Sequence, residues 1–167
     1  MDRTTKLKNQ TIGVPKFVVR RSAGGQLIPA NDWRLLTSGA FGTPIKNVGF
    51  TWSGGVLTVP RAGIYDIRAH VMFRSNDYGT VGVQVTRNTT VADGSGTVLA
   101  NEISPMAPAV GTSLHMGVSD AEFVSLNAND QLRVHVLQRN RSGDTVNIGS
   151  NDRPFDLTFA CVWVDSL

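Results

Sequence analysis

The chain has 167 residues, which is enough for one domain to bury a hydrophobic core without disulfides or metals. Apolar residues make up 41% of it and no apolar run approaches ~20 residues, which excludes a disordered chain and a helical membrane protein. The opening MDRTTKLKNQ has no apolar stretch behind its basic residues, so the sequence predicts no signal peptide and synthesis in a cytoplasm.

The net charge of +3 is unevenly distributed. Residues 1–34 hold seven Lys or Arg against two Asp, whereas the remainder holds nine basic against eleven acidic residues. We interpret residues 1–35 as an N-terminal arm with the first strand, and 36–167 as the rest of the domain. A solvated tail is the alternative interpretation. The predicted arm residues that dock on a partner are Arg3, Lys6, Lys8, Arg20 and Arg21.

The secondary-structure signal that recurs along the chain is a period of two, which is typical of half-buried strands. Residues 48–52 and 57–59 flank Ser53-Gly54-Gly55 and predict a hairpin. Apolar and polar residues then alternate over 63–73, 81–86, 113–118, 132–136 and 155–163. Pro105 and Pro108 restrict 104–109 to a loop or an edge strand.

These elements predict about eight strands, which fits an all-β, two-sheet antiparallel jelly-roll sandwich. The predicted core comprises the large apolar residues on the inward phase of the strands: Phe50, Trp52, Tyr65, Ile67, Val83, Val134, Phe159 and Trp163.

The order of these segments resembles the C1q and tumour-necrosis-factor superfamily. The matching stretches are PKFVVRRS (15–22), GVLTVPRAGIYDIRAHVMF (55–73), VQVTRNTTVA (83–92), FVSLNANDQLRVHVLQ (123–138) and FDLTFACVWV (155–164). The resemblance implies a homotrimer around a three-fold axis that serves as a binding head. With no collagen repeat, disulfide or predicted signal peptide, the chain looks like the compact C1q-like knobs of bacteria and bacteriophage virions.

We predict no catalytic, cofactor-binding or metal-binding residues. His70, His115 and His135 match no ligand spacing and are expected to be exposed or at an interface. Cys161 lies in an apolar run and is expected to be a buried core residue. The basic residues are not interleaved with aromatics, so no specific nucleic acid is predicted as a partner.

Most aspartates stand beside Gly, Asn or Ser in turns, where carboxylates cap backbone groups. Four of them could instead bind Ca²⁺, although no EF-hand pattern is present: Asp77, Asp93, Asp144 and Asp152. Six loop residues offer hydrogen-bonding groups and one aromatic anchor for a sugar or a protein: Asn76, Asp77, Tyr78, Arg139, Asn140 and Arg141.

The first functional hypothesis is a non-enzymatic virion structural protein of a tailed bacteriophage, made in the bacterial cytoplasm and located in the virion. It would be a trimeric knob whose partners are its own copies, capsid or tail proteins, and a host surface glycan or protein. The sequence favours neither the tail nor a capsid-decoration position. The alternatives are a free-standing bacterial lectin-like module and, third, a polysaccharide hydrolase with carboxylates in an intersubunit cleft.

Overall fold

The computed structural model describes residues 13–21, 26–75, 79–89, 96–106, 114–140, 143, 145–148 and 157–167, with backbone alone at 74, 75, 106, 114–120, 140 and 147. In chain order, the strands of these residues are β1 (Lys16–Arg20), β2 (Gln26–Ile28), β3 (Trp33–Leu35), β4 (Lys46–Val48), β5 (Thr51–Ser53), β6 (Val56–Thr58), β7 (Gly63–Ser75), β8 (Gly79–Arg87), β9 (Thr97–Met106), β10 (Leu114–Leu126), β11 (Gln131–Asn140), β12 (Val146–Ile148) and β13 (Leu157–Asp165). No helix in this part of the chain is long and apolar enough to span a membrane.

The strands form two antiparallel sheets that pack face to face. The seven-stranded sheet has the order β2-β12-β7-β13-β1-β4, with β10 paired to the other side of β7. The six-stranded sheet has the order β5-β6-β11-β8-β9, with β3 paired to β11. The predicted all-β, two-sheet antiparallel class is confirmed.

The core lies between the sheets and is built from alternate residues of the long strands. Of the eight residues predicted for it, six are buried (Phe50, Tyr65, Ile67, Val83, Val134 and Phe159), and Trp52 and Trp163 are partly buried against it. Aromatic rings cluster in the core. The ring centroid of Phe17 lies 5.0 Å from that of Trp52 and 6.1 Å from that of Phe159.

The predicted hairpin is formed by β5 and β6. Gly54 and Gly55 connect the strands with φ angles of 61° and 86°. Two consecutive positive φ values are typical of a type I′ turn, whose twist matches that of the strands it joins.

Pro105 lies in β9, which pairs with β8 alone among the described strands and forms the edge of its sheet. A proline removes one backbone donor, and an edge strand has a side on which that donor is not needed. The edge-strand alternative is therefore confirmed for residues 104–106, whereas Pro108 lies outside the described residues.

Gly63 starts β7 at a point where a side chain would not fit. A Cβ atom here would overlap the indole of Trp163 and lie 2.6 Å from the carbonyl oxygen of Asp165. The guanidinium of Arg61 covers the Trp163 ring at 4.0 Å, and the Tyr65 hydroxyl donates to the Arg61 carbonyl at 2.7 Å. These contacts fix the turn that aims Tyr65 into the core.

A buried carboxylate ties two turns together at this end of the sandwich. Asp130 accepts hydrogen bonds from Asn88 Nδ2 at 2.7 Å and from the Asn127 amide at 2.8 Å. The Asn88 side chain in turn accepts from the Gln131 amide at 2.8 Å. Asp130 thus has the turn-capping role that the sequence predicts for most aspartates.

We expect Asp130→Ala to lower the free energy of unfolding by about 2–3 kcal/mol, because it removes the buried, charged acceptor of two hydrogen bonds. The measurement is a urea titration. Asp32→Ala is the control, since that acid is exposed and its replacement should change stability by less than about 0.5 kcal/mol. Equal effects of the two substitutions would contradict the role of the network.

The prediction that His135 is exposed or at an interface is wrong. Its side chain is fully buried in the central strand β11, with Nδ1 at 3.4 Å from the Thr86 hydroxyl. In the sheet its neighbours are Gln84 on β8 and Leu35 on β3, which flank it on both sides. His135 alternates with apolar residues along its strand, and this pattern therefore predicted exposure. The six-stranded sheet, however, also buries residues that point away from the core.

Candidate assembly surface

The side of the seven-stranded sheet that points away from the core forms a continuous surface across five strands. The strand register aligns its residues in two adjacent rows. The first row is Val48, Lys16, Val162, Asp66 and Phe123, and the second is Lys46, Val18, Ala160, Arg68 and Ala121. We call these ten residues the outer face.

Much of the outer face is apolar and accessible to solvent. Phe123 is 68% exposed, and Val164, which follows the first row on β13, is 49% exposed. Val18, Ala160 and Val162 are half-buried between these residues. Single exposed apolar residues are ordinary, whereas contiguous ones indicate a contact surface.

An ion pair lies in the middle of this apolar surface. Arg68 Nε donates to both carboxylate oxygens of Asp66 at 3.0 Å, and a terminal nitrogen donates at 2.7 Å. The two residues are two positions apart on one strand, so their side chains share a face. The hydrogen bond to Asp66 raises the pKa of Arg68. Both charges are therefore satisfied within one chain.

The predicted arm residues fall into two groups. Arg20 lies in β1 opposite Thr158, and Arg21 forms an isolated bridge with Phe41. Both belong to the sandwich, because β1 is inserted between β13 and β4. Arg3, Lys6 and Lys8 lie outside the described residues.

Of the predicted outward loops, Asn76, Asp77, Tyr78 and Arg141 lie outside the described residues. Arg139 is exposed near the end of β11, and the backbone of Asn140 pairs with Gly79 at the start of β8.

The long strands define two ends of the sandwich, which we call the Gly63 end and the Ser75 end after the limits of β7. The chain enters at the Gly63 end, where Pro15 accepts a hydrogen bond from the Trp163 amide at 3.0 Å. The strand ends on either side of 76–78, and the end of β11 before Arg141, lie at the Ser75 end. The basic segment and the predicted recognition loops are therefore attached to opposite ends.

The side chains of Cys161 and Tyr65 lie in the core. Cys161 is fully buried, and burial, with the nearby Asp66 carboxylate, raises the pKa of its thiol. Burial likewise raises the pKa of Tyr65 to about 12. Within the described ranges, no three His, Cys, Asp or Glu residues are grouped so that they could hold a metal ion. The described part of the chain therefore contains neither an accessible thiolate nor a group of residues that could form a metal centre.

No protein-family model and no curated protein matches the sequence. Among solved structures, the crystal structure of murine APRIL at pH 8.5 matches with a TM-score of 0.60 and 16% identity, over 90% of this chain and 98% of that chain. The fold is a jelly roll of the tumour-necrosis-factor type. The fold predicted from the resemblance is thus confirmed. At this level of identity the likeness to APRIL extends to the jelly roll alone.

In this jelly roll, sequence reasoning did not identify the outer face as a surface. The signals were present: Asp66 and Arg68 stand two apart on the polar phase of a strand, and Val162 and Val164 give the last strand a second apolar side. Only the register brings them next to Phe123 on β10.

Proposed function

We propose that the protein is a non-catalytic virion structural protein of a tailed bacteriophage. In this proposal three copies associate through the outer face to form a knob. The basic segment preceding residue 13 holds the knob to the particle, and the Ser75 end faces the host surface. The observation that carries the proposal is the apolar outer face with its exposed Phe123.

Self-association would remove the apolar residues of the outer face from water. Removing apolar surface from water contributes about 25 cal/mol per Å², so an apolar sheet face favours association. Most soluble oligomers are closed and symmetric, which means that the surface is covered by further copies of the same chain. Pairing lowers the cost of burying the charges of Asp66 and Arg68, because neither charge would be buried alone.

The placement of the basic segment and the predicted recognition loops at opposite ends of the sandwich supports the proposed attachment to the particle. A knob that is anchored at one end needs its recognition groups at the other end. The chain enters at the Gly63 end, and Arg139 is exposed towards the Ser75 end. Residues 1–12 include Arg3, Lys6 and Lys8 and form a cationic segment suited to an acidic surface on a larger assembly.

We expect deletion of residues 1–12 to leave the oligomer intact while it abolishes attachment to the particle. The native mass is measured by sedimentation equilibrium at micromolar concentration, and attachment by co-sedimentation with particles that lack the protein. The full-length variant R3Q/K6Q/K8Q is the matched control for charge, and it should bind with a weaker salt dependence.

Two results of this experiment would contradict the proposal. If the full-length protein sediments as a monomer, the proposed trimeric knob is excluded. A truncated chain that unfolds would show that residues 1–12 belong to the fold instead of to the attachment. A truncated trimer that bound glycans without any assembly partner would instead favour the lectin-like module.

A further inference from the structure

Arg61 is held in a fixed position at the Gly63 end of the sandwich. Its guanidinium carbon lies 4.0 Å from the centroid of the Trp163 ring, and its backbone carbonyl accepts a hydrogen bond from the Tyr65 hydroxyl at 2.7 Å. Tyr65 is fully buried, and the Trp163 amide donates to the Pro15 carbonyl at 3.0 Å. Both partners of Arg61 are therefore anchored in the sandwich, and its guanidinium lies close to the point where the chain enters.

No acid among the described residues forms an ion pair with this guanidinium. Two carboxylates belong to the same end of the sandwich, and each has hydrogen bonds of its own. Asp165 accepts from the Ser166 amide at 2.7 Å, and the buried Asp130 accepts from Asn88 Nδ2 at 2.7 Å. The positive charge of Arg61 is thus available to a group outside the chain.

The cluster of Arg61 and Trp163 offers more hydrogen-bond donors than the neighbouring acceptors satisfy. Arg61 Nε and Trp163 Nε1 are inaccessible to solvent and have no acceptor in the described part of the chain. The Arg61 side chain as a whole is half-buried, and its two terminal nitrogens are not enclosed in this way. A positive charge with surplus donors is complementary to an anion, which supplies acceptors alone.

The support under the guanidinium favours a carboxylate as that anion. A guanidinium binds a carboxylate through two parallel hydrogen bonds, and stacking on an aromatic ring fixes the plane in which it does so. Less side-chain entropy is then lost on binding than at a free surface arginine. Gly63 permits the arrangement, because a Cβ atom at this position would overlap the indole of Trp163.

We infer that Arg61 is a docking residue of the Gly63 end, and that its guanidinium pairs with a carboxylate on a protein of the particle. This inference rests on the proposed attachment at that end and adds a directed contact to it. The basic segment before residue 13 supplies attraction to an acidic surface, whereas one fixed ion pair sets the orientation of the contact. A row of cations is typical of surfaces that bind a phosphate backbone, whereas a single guanidinium on an indole fits a single carboxylate.

The experiment measures co-sedimentation of full-length R61Q, R61K and R139Q with particles that lack the protein. We expect R61Q to attach about tenfold more weakly than the wild type, because the carboxylate loses its partner. R61K keeps the charge but lacks the planar fork, and we expect it to attach at least about threefold more weakly. R139Q is the matched control, since Arg139 is exposed near the Ser75 end and its replacement removes the same charge. It should attach like the wild type.

The outcomes distinguish this inference from the proposed function. A wild type that does not attach to the particles would overturn both. If the wild type attaches and either R61Q or R61K attaches equally well, this inference alone is overturned. A loss for R139Q as large as that for R61Q would also overturn it, because the effect would then come from net charge.

Two further measurements complete the test. Circular dichroism and sedimentation equilibrium report whether each variant keeps the fold and mass of the wild type, and R61K decides if R61Q is unfolded. Nuclease treatment of the particles should leave attachment of the wild type unchanged. Loss of attachment after this treatment would assign the anion to a nucleic acid and overturn the inference.

Discussion

Phe123→Asp is expected to convert the proposed trimer into folded monomers at micromolar concentration. The side chain is 68% exposed in the single chain, so the monomer loses little packing. In the assembly the substitution replaces an apolar contact with an unpaired carboxylate. Burying such a group is strongly unfavourable, and we expect association to weaken about 100-fold. Sedimentation equilibrium gives the mass, and circular dichroism reports whether the sheets persist.

Leu27→Asp is the matched control for this prediction. Leu27 is 66% exposed on β2, at the end of the sheet beyond β12 and outside the two rows of the outer face. The control protein should keep the mass of the wild type. If Phe123→Asp also keeps it, the outer face is not the assembly surface.

Tyr65→Ala is expected to lower the free energy of unfolding by about 3–5 kcal/mol. The ring is fully buried, with its centroid 6.0 Å from that of Phe50. The substitution leaves a cavity between the two sheets and removes the hydrogen bond to the Arg61 carbonyl. A denaturant titration at one fixed protein concentration measures the change, since stability of an oligomer depends on concentration.

Tyr65→Phe separates the two contributions, because it retains the ring and removes only the hydroxyl. We expect it to lower stability by about 1 kcal/mol. A loss below about 1 kcal/mol for Tyr65→Ala itself would show that the ring does not fill the core.

The sequence predicted the long strands well because their signal is local. Tyr65, Ile67 and Phe73 alternate with polar residues, and that alternation alone places them on one side of β7. The hairpin at Gly54 and Gly55 was equally readable, since its turn demands residues that tolerate positive φ.

Other strands could not be predicted, because their sequences are too short or too irregular to show a clear alternation. β2, β3, β4 and β12 have three residues each. β3, β4 and β12 pair with a longer strand, and β2 pairs with β12. β10 was predicted as separate segments, yet it runs unbroken from Leu114 to Leu126. The alternation of apolar and polar residues along β10 is interrupted because Asp120 and Glu122 stand at positions where apolar residues would be expected. Glu122 is exposed because β10 lies at the edge of the sandwich.

The candidate surface depended on tertiary structure almost entirely. The sequence does give the last strand a second apolar side, which contains Val162 and Val164. It did not reveal that Val162, Asp66 and Phe123 are neighbours, because they are contributed by three strands far apart in the chain.

By itself, the sequence determined that the chain is an all-β sandwich with a basic leading segment, since alternation and charge are properties of short stretches. Tertiary structure decided which strands are neighbours, and so which residues share the outer face and why His135 is buried. The physical reason is that strand pairing joins distant residues through backbone hydrogen bonds, which every residue except proline can form on both sides. The pattern of side chains therefore determines which side of a strand faces the core. It determines much less strongly which other strand pairs with that strand.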